Sequence, residues 1–86
     1  MIERTAVLAG KHGLHARPAA DLVKLAGRFR SDIQLTKDDT TVDAKSIMGV
    51  MMLAAECGSE LVVTVEGPDE AEAIEAVIQF LETDSE

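Results

Sequence analysis

Apolar residues recur in this chain at two spacings, and the order in which the spacings alternate constrains the fold more than any other feature. Every second residue is apolar at Ile33 and Leu35, and again at Leu61, Val63 and Val65, the period of a strand with one covered face. Spacings of three and four recur at Ala19, Leu22, Val23, Ala26 and Phe29, then at Ile47, Val50, Met51 and Ala54, then at Ala71, Ile74, Val77, Ile78 and Leu81. Those are the periods of amphipathic helices. Ile2 to Leu8 reads as a further strand, with Ile2, Ala6 and Leu8 on one face and Arg4 breaking the pattern. Lys37-Asp38-Asp39 turns the chain into a short partner strand, Thr40 to Ala44. The order is therefore β-α-β-β-α-β-α. In 86 residues it predicts an α+β fold, a two-layer open-faced sandwich with the helices on one side of a small sheet, and one domain over residues 1–86.

The boundaries carry their own signals. Gly10-Lys11-His12-Gly13 is a loop, and Pro18 suits a first helical turn, where its missing N–H costs nothing, so the first helix starts within a residue or two of His15. Ser46 is placed to cap the second helix and Gly58 to end it. Val62 makes the Leu61–Val65 strand partly two-sided, Gly67-Pro68 breaks it, and Asp69 with Glu72 has the spacing of a capping box. Ile47, Met48, Met51 and Met52 cannot all point inward from so short a helix. Two or three are expected in the core, leaving a partly exposed Ile/Met patch suited to docking several partners, because Met repacks easily.

Composition narrows the function. The 47% apolar and 28% charged content is that of a globular chain, and no apolar run approaches the length of a membrane span or a secretory signal. Cys57 has no partner for an internal disulfide, which points to a reducing cytoplasm, and it is expected to be a small buried or half-buried thiol. All eight basic residues lie between Arg4 and Lys45, against six acids; from Ser46 onward there are ten acids and no Lys or Arg. The net charge of −8 argues against nucleic acid and anionic lipid as partners, while the N-terminal half can still present a small basic patch to an anion.

Gly13-Leu14-His15-Ala16-Arg17-Pro18-Ala19-Ala20 is the densest chemical segment. A histidine at a helix start, followed two residues later by an arginine, meets free backbone N–H groups and a dipole that favours anions, with Ala16 and Arg17 supplying the nearest amides. That field disfavours imidazolium and keeps a ring nitrogen nucleophilic near neutral pH; a phosphoryl group on it would face the amides and Arg17. From the residues alone, a capping or surface histidine stands beside a phosphoryl acceptor as a reading of His15. His12 and His15 lack nearby ligands to complete a metal site, so no metal and no other cofactor is expected. No G-x-x-x-x-G-K-[ST] loop is present, so any phosphate must come from a partner.

Residues Gly13 to Ala20, together with Asp43-Ala44-Lys45-Ser46-Ile47-Met48-Gly49-Val50-Met51, resemble the HPr family, the histidine-containing phosphocarriers of the bacterial phosphotransferase system, over essentially the whole chain. The resemblance implies an antiparallel sheet of order 1-4-2-3 carrying three helices. It implies that His15 accepts phosphate through Nδ1 from enzyme I, itself charged by phosphoenolpyruvate, and passes it to an enzyme IIA domain in sugar uptake, with no autonomous catalysis. Arg17 would hold the phosphoryl group. Ile47, Met48 and Met51 would flank His15 in a docking surface with Ala20, and Arg17, Lys24 and Lys45 would meet a partly acidic partner face. Ser46 would match a serine phosphorylated by the HPr kinase/phosphorylase of many lineages; read from the residues alone, it is a plain helix cap. A monomer is expected. His12 departs from the family, standing where a small hydroxyl or amide residue often supports the active histidine. A nitrogen-type paralogue with a regulatory role is the alternative within the family.

An acyl carrier protein is also small, acidic and dependent on one serine, but those are helical bundles with Asp-Ser-Leu at the attachment site, whereas Ser46 follows Lys45. A metal-dependent hydrolase built on His12 and His15 fits less well still, and elemental analysis after dialysis tests it. Far-UV circular dichroism of the protein should show helix and sheet together; a purely helical spectrum would contradict the mixed fold.

Overall fold

The structure is a computed structural model that describes residues 1–9, 13–14 and 16–83. Strands β1 (Ile2–Val7), β2 (Asp32–Lys37), β3 (Thr40–Asp43) and β4 (Glu60–Glu66) form one antiparallel sheet of order β1-β4-β2-β3. Helices α1 (Ala16–Ala26), α2 (Ile47–Met52) and α3 (Glu70–Glu82) complete the open-faced sandwich, in the element order that the apolar periods predict. Helix α3 lies over β1 and β4, and α1 packs beside both α2 and α3.

Strand β4 shows why the sequence pattern works. Leu61, Val63 and Val65 are all completely buried, while Val62 and Thr64 on the opposite face are only partly covered. The register sets Leu61 beside Ala6 and Val65 between Ile2 and Ile33, so one face of three strands is apolar across its width. Leu22 and Ala26 of α1, Val50 of α2, and Ile74, Val77 and Leu81 of α3 close over it. Each fully buried aliphatic side chain of this size contributes roughly 1.5–3 kcal/mol relative to exposure. Arg4 pairs in register with Val63 and so belongs to the helix-facing side of the edge strand; its guanidinium escapes to Glu75 of α3, at 2.6 Å. The pattern is broken there because an edge position can send a long side chain out to solvent.

Four expectations about element ends and burial are corrected. Gly58 does not end α2: the helix stops at Met52, and the chain leaves through Leu53 and through Ala54, which has φ 50°. Gly58 serves a later turn, its N–H donating to the Leu8 carbonyl at 2.8 Å. Cys57 is exposed rather than half-buried, with Sγ 3.8 Å from the Ala9 carbonyl oxygen. Phe29 and Ala71 are not part of the buried helical faces: α1 ends at Ala26, and α3 buries Ala73 instead of Ala71.

The fourth correction is the capping box at Asp69. Asp69 occupies the N-cap of α3 but makes no capping bond with its side chain. Its carboxylate instead accepts from Arg30 N–H at 2.9 Å, Ser31 N–H at 3.0 Å and Ser31 Oγ at 2.5 Å, joining α3 to the segment that enters β2. Glu70, not Glu72, reaches back, accepting from Gly67 N–H at 3.1 Å. A carboxylate opposite two amides and a buried hydroxyl does more for tertiary structure than for its own helix, and the spacing of acids along the sequence cannot distinguish the two uses. Gly67 completes the junction: it has φ 154°, and a Cβ there would stand 2.5 Å from Ser31 Cα.

The Ser31 hydroxyl, followed by the Arg30 amide, holds the Asp69 carboxyl below its ordinary value of 3.8, and the Gly67 amide and the N-terminal ammonium lower Glu70 from 4.5. Groups whose pKa falls on folding stabilise the fold above their unfolded values, and that contribution is lost as pH drops through the folded ones. Asp69→Asn keeps one oxygen for three donors. It should lower Tm at neutral pH, and the gap to the parent should narrow as pH falls below about 3.8. Thermal melts at several pH values check both signs. Gly67→Ala should cost more than about 1 kcal/mol at any pH, because the Cβ meets backbone.

Candidate functional site

The candidate site is built around the entry to α1. Pro18 is the third residue of that helix, as its fixed φ and missing N–H predict, and the helix begins at Ala16, the residue that follows His15 in the chain. His12 and His15 themselves lie outside the described residues, as do Gly10 and Lys11. The flanks of this segment are sharply positioned. Leu14 is buried and its N–H donates to the Ala55 carbonyl at 2.9 Å. Gly13 has φ 71°, and a Cβ on it would collide with the Ala55 carbonyl and come within 3.0 Å of Glu56 Cα. On the other side, Leu8 N–H donates to the Ser59 carbonyl at 2.9 Å and Leu8 accepts from Gly58. The segment after α2 thus holds both the chain leaving β1 and the chain about to enter α1, and Ala54, with its left-handed φ, is where that segment turns away from α2.

Ala16 and Arg17 are exposed on the first turn, Ala20 is half-buried one turn on, and Lys24 is exposed a turn further. The first turn of an α-helix has no intrahelical acceptors for its N–H groups, and Pro18 contributes none, so Ala16 and Arg17 carry the free donors there. Among the described residues Arg17 and Lys24 make no ion pair. Lys45 differs: it is half-buried and its Nζ donates to the Phe29 carbonyl at 2.8 Å, just past the end of α1, while its N–H donates to Asp43 Oδ1. Its charge is held at the Phe29 carbonyl beyond α1, while its backbone is tied to β3.

Ser46 caps α2 as its position predicts: its Oγ accepts from Gly49 N–H at 3.2 Å and its own backbone is extended. Gly49 sits tightly on β3, where a Cβ would come 3.3 Å from Val42 Cβ. The expectation that two or three of the Ile/Met side chains are buried is overturned. Ile47 (42% exposed), Met48 (72%), Met51 (44%) and Met52 (71%) all face solvent, and Val50 alone of α2 is buried. A helix this short, seated through Val50 and Gly49, has only one inward face. Met52 therefore joins Ile47, Met48 and Met51 at the surface; helical spacing gives no sign that the whole methionine set lies outside.

Comparison with known proteins agrees with this geometry. The family model for the PTS HPr component phosphorylation site matches residues 2–83. The phosphocarrier protein HPr of Treponema pallidum is 53% identical over 90% of this chain and 88% of its own. The crystal structure of HPr from Bacillus anthracis superposes with a TM-score of 0.91 at 46% identity, covering 93% of this chain and 95% of that one. The crystal structure of Crh, the Bacillus subtilis catabolite repression protein, described as a domain-swapped dimer, gives 0.79 at 42% identity over 100% and 99% of the two chains. The chain belongs to the HPr family of phosphocarriers of the phosphotransferase system.

The contact between Gly13 and Ala55 generates a comparison of two glycines. Both Gly13 and Gly58 have positive φ, but nothing among the described residues lies within 4 Å of a Cβ on Gly58. Gly58→Ala should cost about 1–2 kcal/mol, the conformational term alone. Gly13→Ala adds a backbone collision and should lower Tm further, by about 4 °C or more beyond Gly58→Ala. Equal melting temperatures would place the loop away from Ala55.

Proposed function

We propose that residues 1–86 act as one cytoplasmic phosphocarrier domain, in which His15 takes a phosphoryl group from phosphorylated enzyme I and gives it to enzyme IIA domains in phosphoenolpyruvate-dependent sugar uptake. The start of α1 at Ala16 is the observation that carries this reading, because it sets helix amides next in sequence to the histidine. A neutral imidazole nitrogen attacks phosphorus, the bond to the donor breaks, and the acceptor gains a dianionic group. The amides of Ala16 and Arg17 and the Arg17 guanidinium are the groups to receive that charge, the helix dipole adding roughly 0.3–1 kcal/mol. Transfer onward reverses the step with the IIA domain as nucleophile. His12 tunes or supports His15. The exposed Ile47, Met48 and Met51, with Ala20 beside Arg17 and Lys24, form the face that partners cover; Lys45 contributes its charge from the Phe29 carbonyl.

Incubation with enzyme I and labelled phosphoenolpyruvate tests the reading: the label should be acid-labile and alkali-stable, lost in His15→Ala and only reduced in His12→Ala. Arg17→Ala should fold normally and transfer roughly 10- to 100-fold more slowly, with Arg17→Lys recovering part of the loss, since charge survives without the planar fork. Full label on His15→Ala would refute the assignment.

Ser46 is the proposed site of regulation by a kinase such as HPr kinase/phosphorylase. Ser46→Asp keeps a cap for Gly49 N–H and puts a negative charge at the start of α2, so Tm should hold or rise. The same charge at the edge of the docking face should slow transfer from enzyme I about 10-fold or more. Wild-type transfer would leave Ser46 as a cap only.

The likeness to Crh, a catabolite repression protein, supports a second reading, a regulatory role exercised from the same face; a nitrogen-type chain would likewise be regulatory. Transfer of label to sugar-specific rather than nitrogen-type acceptor domains favours the first reading. The carrier acts as a monomer in this reading, and the swapped dimer of the Crh relative makes sedimentation the check.

A further inference from the structure

Three of the four methionines of this chain, Met48, Met51 and Met52, lie on the six-residue helix α2, and the fourth is Met1. Their exposures of 72%, 44% and 71% leave the thioethers open to solutes, whereas the one α2 side chain in the core is Val50. Chemistry on the sulfurs can therefore change the surface of α2 without opening the core beneath it. We propose that Met48, Met51 and Met52 form a reversible oxidation site, at which peroxide converts thioethers to sulfoxides and so switches off partner docking while leaving the fold intact. The inference rests on the docking face assigned above.

The chemistry balances with hydrogen peroxide as oxidant. The sulfur electron pair attacks one peroxide oxygen, the O–O bond breaks, that oxygen stays on sulfur as a sulfoxide, and the other leaves as water. Sulfur is oxidised by two electrons and the peroxide reduced by two. A thiol-driven methionine sulfoxide reductase returns the thioether.

A sulfoxide replaces a flexible apolar group with a polar one that needs a hydrogen-bond partner. On a solvated helix water supplies that partner, so the free protein should tolerate the change. Under a docked protein the oxygen must either give up its water or hold the two surfaces apart, and an unpaired buried polar group is costly. The clustering matters: Met48 and Met52 lie four residues apart on one side of α2, with Met51 next to Met52, so one partner surface would cover several sulfoxides together. Ile47, the remaining exposed apolar residue of the patch, cannot be oxidised in this way, which leaves the methionines as the responsive part.

The test uses the full chain carrying Cys57→Ser, which removes the exposed thiol as a competing target. Peroxide-treated protein is mapped by peptide mass spectrometry, melted, and assayed for phosphotransfer from enzyme I at limiting concentration. Sulfoxide on α2 should leave Tm nearly unchanged and slow transfer about 10-fold or more, and methionine sulfoxide reductase with dithiothreitol should restore the rate. The triple variant Met48→Leu, Met51→Leu and Met52→Leu should transfer at its own untreated rate after peroxide, whatever that rate is. Unchanged transfer by protein shown to carry sulfoxide on α2 overturns the inference alone, as does equal slowing of the triple variant or a collapse in Tm. Untreated protein that accepts no label overturns the carrier reading and this inference with it.

Discussion

Strand β4 lies between β1 and β2 and presents Leu61, Val63 and Val65, none with exposed surface, to the helices. The strands on either side of it are distant in sequence, and pairing with β4 joins them into one apolar face that the helices cover. A two-stranded ribbon of β2 and β3 alone is at best marginal in water, and β1 alone has no partner. Closing the sheet around β4 puts α3 over β1 and β4 and leaves α1 and α2 side by side. The segment between α2 and β4 then passes the end of β1 and the chain that leads into α1, and it bonds to Leu8 in the first and Leu14 in the second. The position of the candidate site is thus a consequence of β4 occupying the centre.

The element order was legible because each element buries one face, and burial writes its period into the sequence: alternate residues in β4, threes and fours in α1 and α3. Strand adjacency was not legible from period, because Leu61, Val63 and Val65 would read the same beside any neighbour; the order 1-4-2-3 came from family resemblance. Element ends were least legible. Gly58 and the Asp69/Glu72 pair carry the local signals of a helix end and a capping box, and tertiary contacts take both residues for other work: Gly58 N–H goes to Leu8, and the Asp69 carboxylate goes to Arg30 and Ser31.

At the site, local chemistry was readable and packing was not. Pro18 marked the start of α1 and Ser46 the cap of α2, since each acts within one turn of its own position. The hold of Ala55 on Leu14 and Gly13 joins residues some forty apart, and nothing in either segment announces the other. A glycine before a histidine reads as loop; only the collision awaiting a Cβ shows that it is a contact. The exposure of all three α2 methionines has the same origin, because the inward face of so short a helix is chosen by what lies below it.

The proposed function turns on the start of α1 at Ala16, next in sequence to the histidine proposed to exchange phosphate. The most direct measurement is nuclear magnetic resonance of the protein with nitrogen-15 in its imidazole rings, recorded before and after phosphorylation by enzyme I and phosphoenolpyruvate. The account predicts phosphorus–nitrogen coupling at Nδ1 of His15, with the His12 ring unmodified. Coupling at His12, or phosphorus bound to no imidazole nitrogen, would contradict it.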